Sequence, residues 1–198
     1  MNMIKKIKYL FACVVAFPSY LYLFCRGGGY EEAWEDMKVW IRRTNCFFRS
    51  RYMSYVYLMT EYPPFRNIMY YRISKVSDRY SCPFHGWWLM PAQKDIYILC
   101  DEIGGGFYIS HGYGTTINAK KIGRNVEIFQ GVTLGQKRGG VPTIGDNVTI
   151  YAGAKIIGEI TIGDDVEVGC NAVVLSNVSD NHIAVGIPAV VKPKNKRY

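Results

Sequence analysis

No Cys-x-x-Cys pair occurs among the six cysteines, Cys13, Cys25, Cys46, Cys82, Cys100 and Cys170, and no histidine stands at zinc-ligand spacing from them. This excludes a zinc knuckle and gives no disulfide framework, so the reading is reduced thiols in a cytosolic protein without a bound metal. Zinc-finger spacing, an RNP-like segment and an arginine-rich tract are missing too, which sets nucleic-acid binding aside despite a net charge of +8. Nor is the composition that of a disordered or collagen-like chain, with 49% hydrophobic and 20% charged residues. At 198 residues the chain suffices for one domain, or one domain with a smaller satellite, and not for a large multidomain machine.

What charge there is falls unevenly. Residues 1–94 hold 14 Lys and Arg against 6 Asp and Glu, whereas residues 95–198 hold 10 of each, so the whole excess lies in the first half. That half also carries 22 of the 29 aromatics, and a boundary is placed between 94 and 95. Basic residues beside aromatics suit an anionic lipid surface, or an acidic glycan on which aromatic faces stack.

The N-terminus opens with Lys5, Lys6 and Lys8 and continues as an apolar run over 9–24 that Pro18 and Ser19 interrupt. The run has no small-residue cleavage site, is shorter than the roughly 20 apolar residues of a spanning helix, and is expected to kink at Pro18. Two readings stay open. One is a basic, aromatic-rich segment lying on the inner face of the membrane, and the other is a helix packed on its own protein or on a neighbouring subunit.

From Tyr30 the acids Glu31, Glu32, Glu35 and Asp36 precede Arg42 and Arg43, a polarity that suits a helix dipole. Further helices are predicted over 51–61 and 65–79, separated by Pro63 and Pro64, with 81–94 as the connection into the second half.

There the period changes to six. Aliphatic residues fall at Ile122, Ile128 and Leu134, then at Ile144, Ile150, Ile156, Ile162, Val168 and Val174. A second register holds Val126, Val132, Val148, Ala154, Ile160, Val166, Ala172 and Val178. Neither a helix nor an alternating strand gives this spacing. Short parallel strands coiled in triangular turns of three hexapeptides do, with large aliphatics inside and Gly, Asn or Asp at the corners. The predicted class is therefore mainly β: a parallel β-helix of hexapeptide repeats over 95–198, preceded by an α-helical region over 1–94.

Two irregularities interrupt the period. From Ile109 to Ile122 the step is thirteen rather than twelve, placing one extra residue near 111–116. From Leu134 to Ile144 the step is ten, so 136–143 is predicted to protrude as a loop bearing Lys137 and Arg138 beside the flexible Gly139 and Gly140.

The order of motifs now carries a resemblance. Ile103-Gly-Gly-Gly-Phe-Tyr-Ile-Ser-His111-Gly112, Gly131-Val-Thr-Leu-Gly135, Pro142-Thr-Ile-Gly-Asp146, Gly153-Ala-Lys-Ile-Ile-Gly158 and Gly186-Ile-Pro-Ala189 together resemble the serine O-acetyltransferase family over roughly 100–190. His111-Gly112-Tyr113 followed by Ile117-Asn118 is similar to those members that acetylate bacterial surface polysaccharides, of the colanic-acid type. The resemblance implies a left-handed β-helix, an acetyl-CoA-dependent transferase, a homotrimer with active sites between adjacent coils, and His111 as the catalytic base. It also implies a donor groove at Gly135, Ala152 and Cys170, with Lys192 and the tail Lys194, Lys196 and Arg197 near the donor's phosphates.

Imidazole titrates near neutral pH, which suits a base that takes a hydroxyl proton during attack on a thioester. His85 and His182 match nothing catalytic and are read as structural. The family's L-serine enzymes place a carboxylate fifteen residues before the histidine, where this chain has Ile96, with Asp95, Asp101 and Glu102 nearby. They also place Asp before that histidine and Arg-His before the loop proline, where this chain has Ser110 and then Gly140 and Val141. The sequence-based expectation is thus an O-acetyltransferase acting on a sugar hydroxyl of a surface polysaccharide or its precursor, with Lys137 and Arg138 on the acceptor side. L-Serine is the alternative, and a non-catalytic β-helix scaffold is a third reading.

Overall fold

The computed structural model describes residues 3–25, 30–46, 48, 50–76 and 89–194, and the chain divides into two compact units, Met1–Gln93 and Lys94–Tyr198. His85, Cys82, Lys196 and Arg197 lie outside the described residues.

Helices α1 (Met3–Cys25), α2 (Tyr30–Arg43), α3 (Arg51–Glu61) and α4 (Pro63–Val76) build the first unit. Acids Glu31 and Glu32 open α2, and Arg42 and Arg43 close it. The chain breaks between α3 and α4 as expected, but Pro63 and Pro64 lie inside the first turn of α4, where an amide has no intrahelical partner and proline lacks nothing the helix needs. Tyr62, just before them, is extended at φ −122, as a residue preceding proline prefers. Helix α1 runs from Met3 to Cys25 with Pro18 inside it. Lateral bonds hold it along α3: the Ser19 and Tyr55 hydroxyls share a hydrogen bond of 2.9 Å, Tyr52 donates to the Cys13 carbonyl, and Lys8 pairs with Glu61 at 2.9 Å.

The core of this unit takes up three of the aromatics counted toward a glycan-binding surface, while Phe11, Phe17 and Phe48 stay exposed. Trp40, Tyr55 and Phe65 are fully buried, with Trp40 edge-on to Phe65 at 5.4 Å. Their ring faces pack protein, not sugar. Beneath them the buried Arg72 guanidinium grips Asp36 at 2.9 and 3.2 Å.

The second unit is a three-faced parallel β-helix. The first face stacks Ile96–Ile98, Thr115–Ile117, Thr133–Gly135, Lys155–Ile157 and Val173–Val174. The second stacks Glu102–Ile103, Lys121–Ile122, Thr143–Ile144 and Thr161–Ile162. The third stacks Tyr108–Ile109, Glu127–Ile128, Thr149–Ile150, Glu167–Val168 and His182–Val185, and ends with Val190–Pro193, which turns back antiparallel.

Register follows the six-residue period. Thr143 lies against Thr161 and Thr149 against Glu167, each one turn of eighteen residues on. Across the His111 turn Tyr108 pairs with Glu127, one residue beyond eighteen, and across the protruding loop Lys121 pairs with Thr143, four beyond. All nine aliphatics of the first register are buried, as is the second register except the half-buried Ile160. Corners close by side-chain ladders as well: Asp146 accepts from the Arg124 amide at 2.7 Å, Asp164 from Asp146 at 2.7 Å and Asp180 from Asp164 at 2.9 Å.

Candidate active site

The first four strands of the third face each end on an inward aliphatic, and two residues later the chain rounds a corner. These corners stack into a column of His111, Gln130, Ala152 and Cys170. The next residue is left-handed in every coil, Gly112 at φ 73, Gly131 at 70, Gly153 at 75 and Asn171 at 56. Main-chain bonds run down the column, from the Gly131 amide to the Tyr113 carbonyl at 2.7 Å, Gly153 to Gln130 at 2.9 Å and Asn171 to Ala152 at 2.9 Å. With adjacent strands about 4.8 Å apart, Ala152 lies roughly 10 Å and Cys170 roughly 14 Å along the column from His111.

The extra residues sit at its top. His111 is itself left-handed at φ 61, and the Gly112 amide bonds the Ser110 carbonyl at 2.7 Å, so 110–112 form a tight three-residue turn with the histidine at its apex. A Cβ on Gly112 would come 2.4 Å from Cδ1 of Ile96, so only glycine fits there. The turn is strapped from below by Asp95, whose carboxylate accepts from the Gly114 amide at 3.1 Å and whose carbonyl accepts from Thr115 at 3.1 Å. The imidazole is exposed, and none of the described residues hydrogen-bonds it. Asp95 therefore orients the turn and not the ring. Glu102 is turned to Lys121 at 3.0 Å, and His182 bonds the Asp180 carbonyl at 2.7 Å.

The remaining positions divide in two. Ala152 and Cys170 share the His111 column, whereas Gly135 sits at the far edge of the first face, its carbonyl accepting from Gly158 at 2.9 Å. Lys192 is exposed on the returning strand opposite Ile183, and Lys194 is held by Glu167 at 3.0 Å. Lys137 and Arg138 protrude from the same far edge as Gly135, so within one chain the width of the first face separates them from His111. Their loop is not slack: Lys137 and Gly140 exchange main-chain bonds at 3.0 and 3.1 Å around Arg138 at φ 52 and Gly139 at φ 90, a two-residue hairpin turn.

Gln130 was missed in the sequence. It follows Ile128 by two residues as His111 follows Ile109, a signal that the six-residue count contains. Its Oε1 is buried one coil below His111 without a hydrogen-bond partner among the described residues, as is Oγ1 of Thr115. Among the same residues no group of three or more His, Cys, Asp or Glu is placed to hold a metal ion.

Comparison with known proteins adds identity to geometry. The model of the bacterial transferase hexapeptide (six repeats) matches residues 142–176. A serine acetyltransferase of Staphylococcus xylosus is 48% identical over 102 residues, covering 48% of this chain and 47% of its own. The chain thus spans about half the length of the curated relatives it matches. Among solved structures, soybean serine acetyltransferase complexed with serine superposes at a TM-score of 0.68 and 26% identity, over 90% of this chain and 76% of its own. A serine acetyltransferase in complex with CoA gives 0.67 and 25%, over 97% and 86%.

These findings overturn the polysaccharide acceptor. Within the motif that pointed to it, Gly112 is confined by the approach of Ile96, Ile117 is buried inside the coil, the Asn118 amide bonds the Leu134 carbonyl at 3.0 Å, and Tyr113 is exposed. In its hexapeptide repeats and in its fold, the chain resembles the serine acetyltransferase family.

Proposed function

We propose that this chain is a cytoplasmic acyltransferase that moves acetyl from acetyl-CoA to the hydroxyl of L-serine, with His111 as general base. The observation that carries the reading is the column itself. It presents an unencumbered imidazole at the head of a line of main-chain groups, at Ala152 and Cys170, along which a donor's pantetheine arm can bond. The acceptor oxygen attacks the thioester carbon as its proton passes to the imidazole. A C–O bond forms, the C–S bond breaks, and the proton is returned to the departing CoA thiolate.

The active unit in this proposal is a homotrimer. Lys137, Arg138 and Gly135 stand a full face away from His111 in one chain, so a neighbouring copy is required to bring a loop edge against a histidine edge. There Lys137 and Arg138 supply positive charge for the acceptor's carboxylate, since Gly140 and Val141 carry none. Lys192 serves the donor's phosphates. Residues 95–198 form the acyltransferase domain, and 1–94 a separate helical domain that meets the inner face of the membrane.

Thiol release from acetyl-CoA, followed with and without L-serine for the purified full chain, tests the reading. Serine-dependent release is expected, reduced by about 100-fold or more in His111→Ala. Release that does not depend on serine, or that survives this substitution, overturns it. Sedimentation at micromolar concentration checks the trimer, which a monomer refutes.

A further inference from the structure

Helix α1 has two opposite faces. Ala12, Ala16, Ser19 and Leu23 are buried, and at 3.6 residues per turn they fall within about 60° of one another on the helix circumference. The opposite arc is apolar and open. Met3, Ile4, Ile7, Leu10, Phe11, Val14, Phe17 and Leu21 are between 46 and 73% exposed and occupy about 140°. Residues 6–24 have a mean hydropathy of 1.6 and are only 22% buried. Lys6 and Lys8 border the arc on its two sides.

We infer that this arc is a docking face for an anionic lipid bilayer, with α1 lying in the plane of the interface. The inference deepens the membrane placement in the proposed function but does not depend on the acetyl-transfer chemistry. Charge decides the occupant. Helix α1 contains no acidic residue, while Lys5, Lys6 and Lys8 all lie near its start. Lys8 is met by Glu61 from α3, and a second copy of α1 laid on the arc in either direction would offer Lys6 no carboxylate. Anionic headgroups supply that partner, and their acyl chains receive the arc.

Two further features point the same way. Met3, Ile7, Leu10, Val14, Phe17 and Leu21 repeat at steps of four and three like a coiled-coil seam, yet the flanking Ile4, Phe11 and Pro18 are apolar where a helix pair places charges. The arc is therefore wider than a seam and suits a fluid apolar medium. Nor does α1 cross the bilayer. Bonds from Cys13, Ser19 and Tyr9 to α3 hold its other face, and a helix crossing the membrane would lose all of them.

The test is flotation of the full chain with phosphatidylglycerol–phosphatidylcholine vesicles and with pure phosphatidylcholine vesicles. Binding to the anionic vesicles alone, weakened by salt, is expected. The double substitution Leu10→Asp and Phe17→Asp should reduce it at least about tenfold, with the thermal melt and acetyl transfer from soluble acetyl-CoA unchanged. His111→Ala should float like the native chain, which separates this inference from failure of the acetyltransferase reading. No binding to anionic vesicles, or undiminished flotation of the double variant, overturns the proposal. So does dissociation of the native oligomer by the double variant, because a second copy would then be what covers the arc.

Discussion

The Asp95 carboxylate accepts the Gly114 amide at 3.1 Å, three residues beyond His111, and thereby fastens the turn that presents the imidazole. Asp95→Ala frees that amide and lets the apex drift, and small displacements of a base cost rate. An about tenfold fall in kcat is expected, with KM for acetyl-CoA little changed. Asp95→Asn keeps an acceptor oxygen and should recover most of the rate. Steady-state kinetics of the two variants check this, and a rate in Asp95→Ala equal to native removes Asp95 from the site.

Much of the β-helix was legible because its periodicity is a one-dimensional property. Ile144 through Val174 bury at every sixth residue, and the one-residue and four-residue breaks become register steps of nineteen and twenty-two. The motif singled out His111, and the structure puts it at the apex of the turn over 110–112. The role of Asp95 was not legible, because a carboxylate bonding an amide nineteen residues away leaves no mark on local spacing. The acceptor was misread because Ser110, Gly140 and Val141 stand where the resembled serine enzymes place charged partners, and the absence of those charges was taken to exclude an amino acid, whereas the relatives the chain matches are serine acetyltransferases. In the helical unit Pro63 and Pro64 marked the break between α3 and α4, but they belong to the first turn of α4, a placement that proline's missing amide permits and that spacing alone does not distinguish.

Gly112 gives a sharper test of the turn. At φ 73, with Ile96 and Ile109 atoms 2.4 to 3.1 Å from where a Cβ would stand, an alanine must strain the backbone and displace Ile96. Gly112→Ala should destabilise the β-helical unit by about 1–3 kcal/mol and lower acetyl transfer at temperatures where the fold remains intact. Gly114 is also left-handed, at φ 63, but its Cβ would meet open space, so Gly114→Ala should cost less. Equal melting temperatures for the two variants would contradict this ordering.

Ser110 addresses the acceptor. If L-serine's ammonium meets a neutral hydroxyl here, where the resembled serine enzymes place a carboxylate, then Ser110→Asp adds a charge-assisted partner. Such a bond contributes about 1.5–3 kcal/mol. KM for serine is expected to fall about tenfold or more, with KM for acetyl-CoA unchanged. A rise in serine KM would show that the ammonium lies elsewhere.

Stability of the helical unit turns on a pair far from the proposed chemistry. Asp36 and Arg72 are 0 and 6% exposed at their side chains and meet at 2.9 Å, joining α2 to α4 inside the core. Asp36→Ala leaves a buried guanidinium without its carboxylate, at a cost of about 3–5 kcal/mol. Replacing both, as Asp36→Leu with Arg72→Met, removes the orphaned charge and should recover most of that loss, because much of it is the penalty of the unpaired cation and not the worth of the bond. Urea denaturation followed by Trp fluorescence, with all four Trp in the first half of the chain, measures both effects. A double variant as unstable as the single one would mean that shape at this site, and not uncompensated charge, sets the cost.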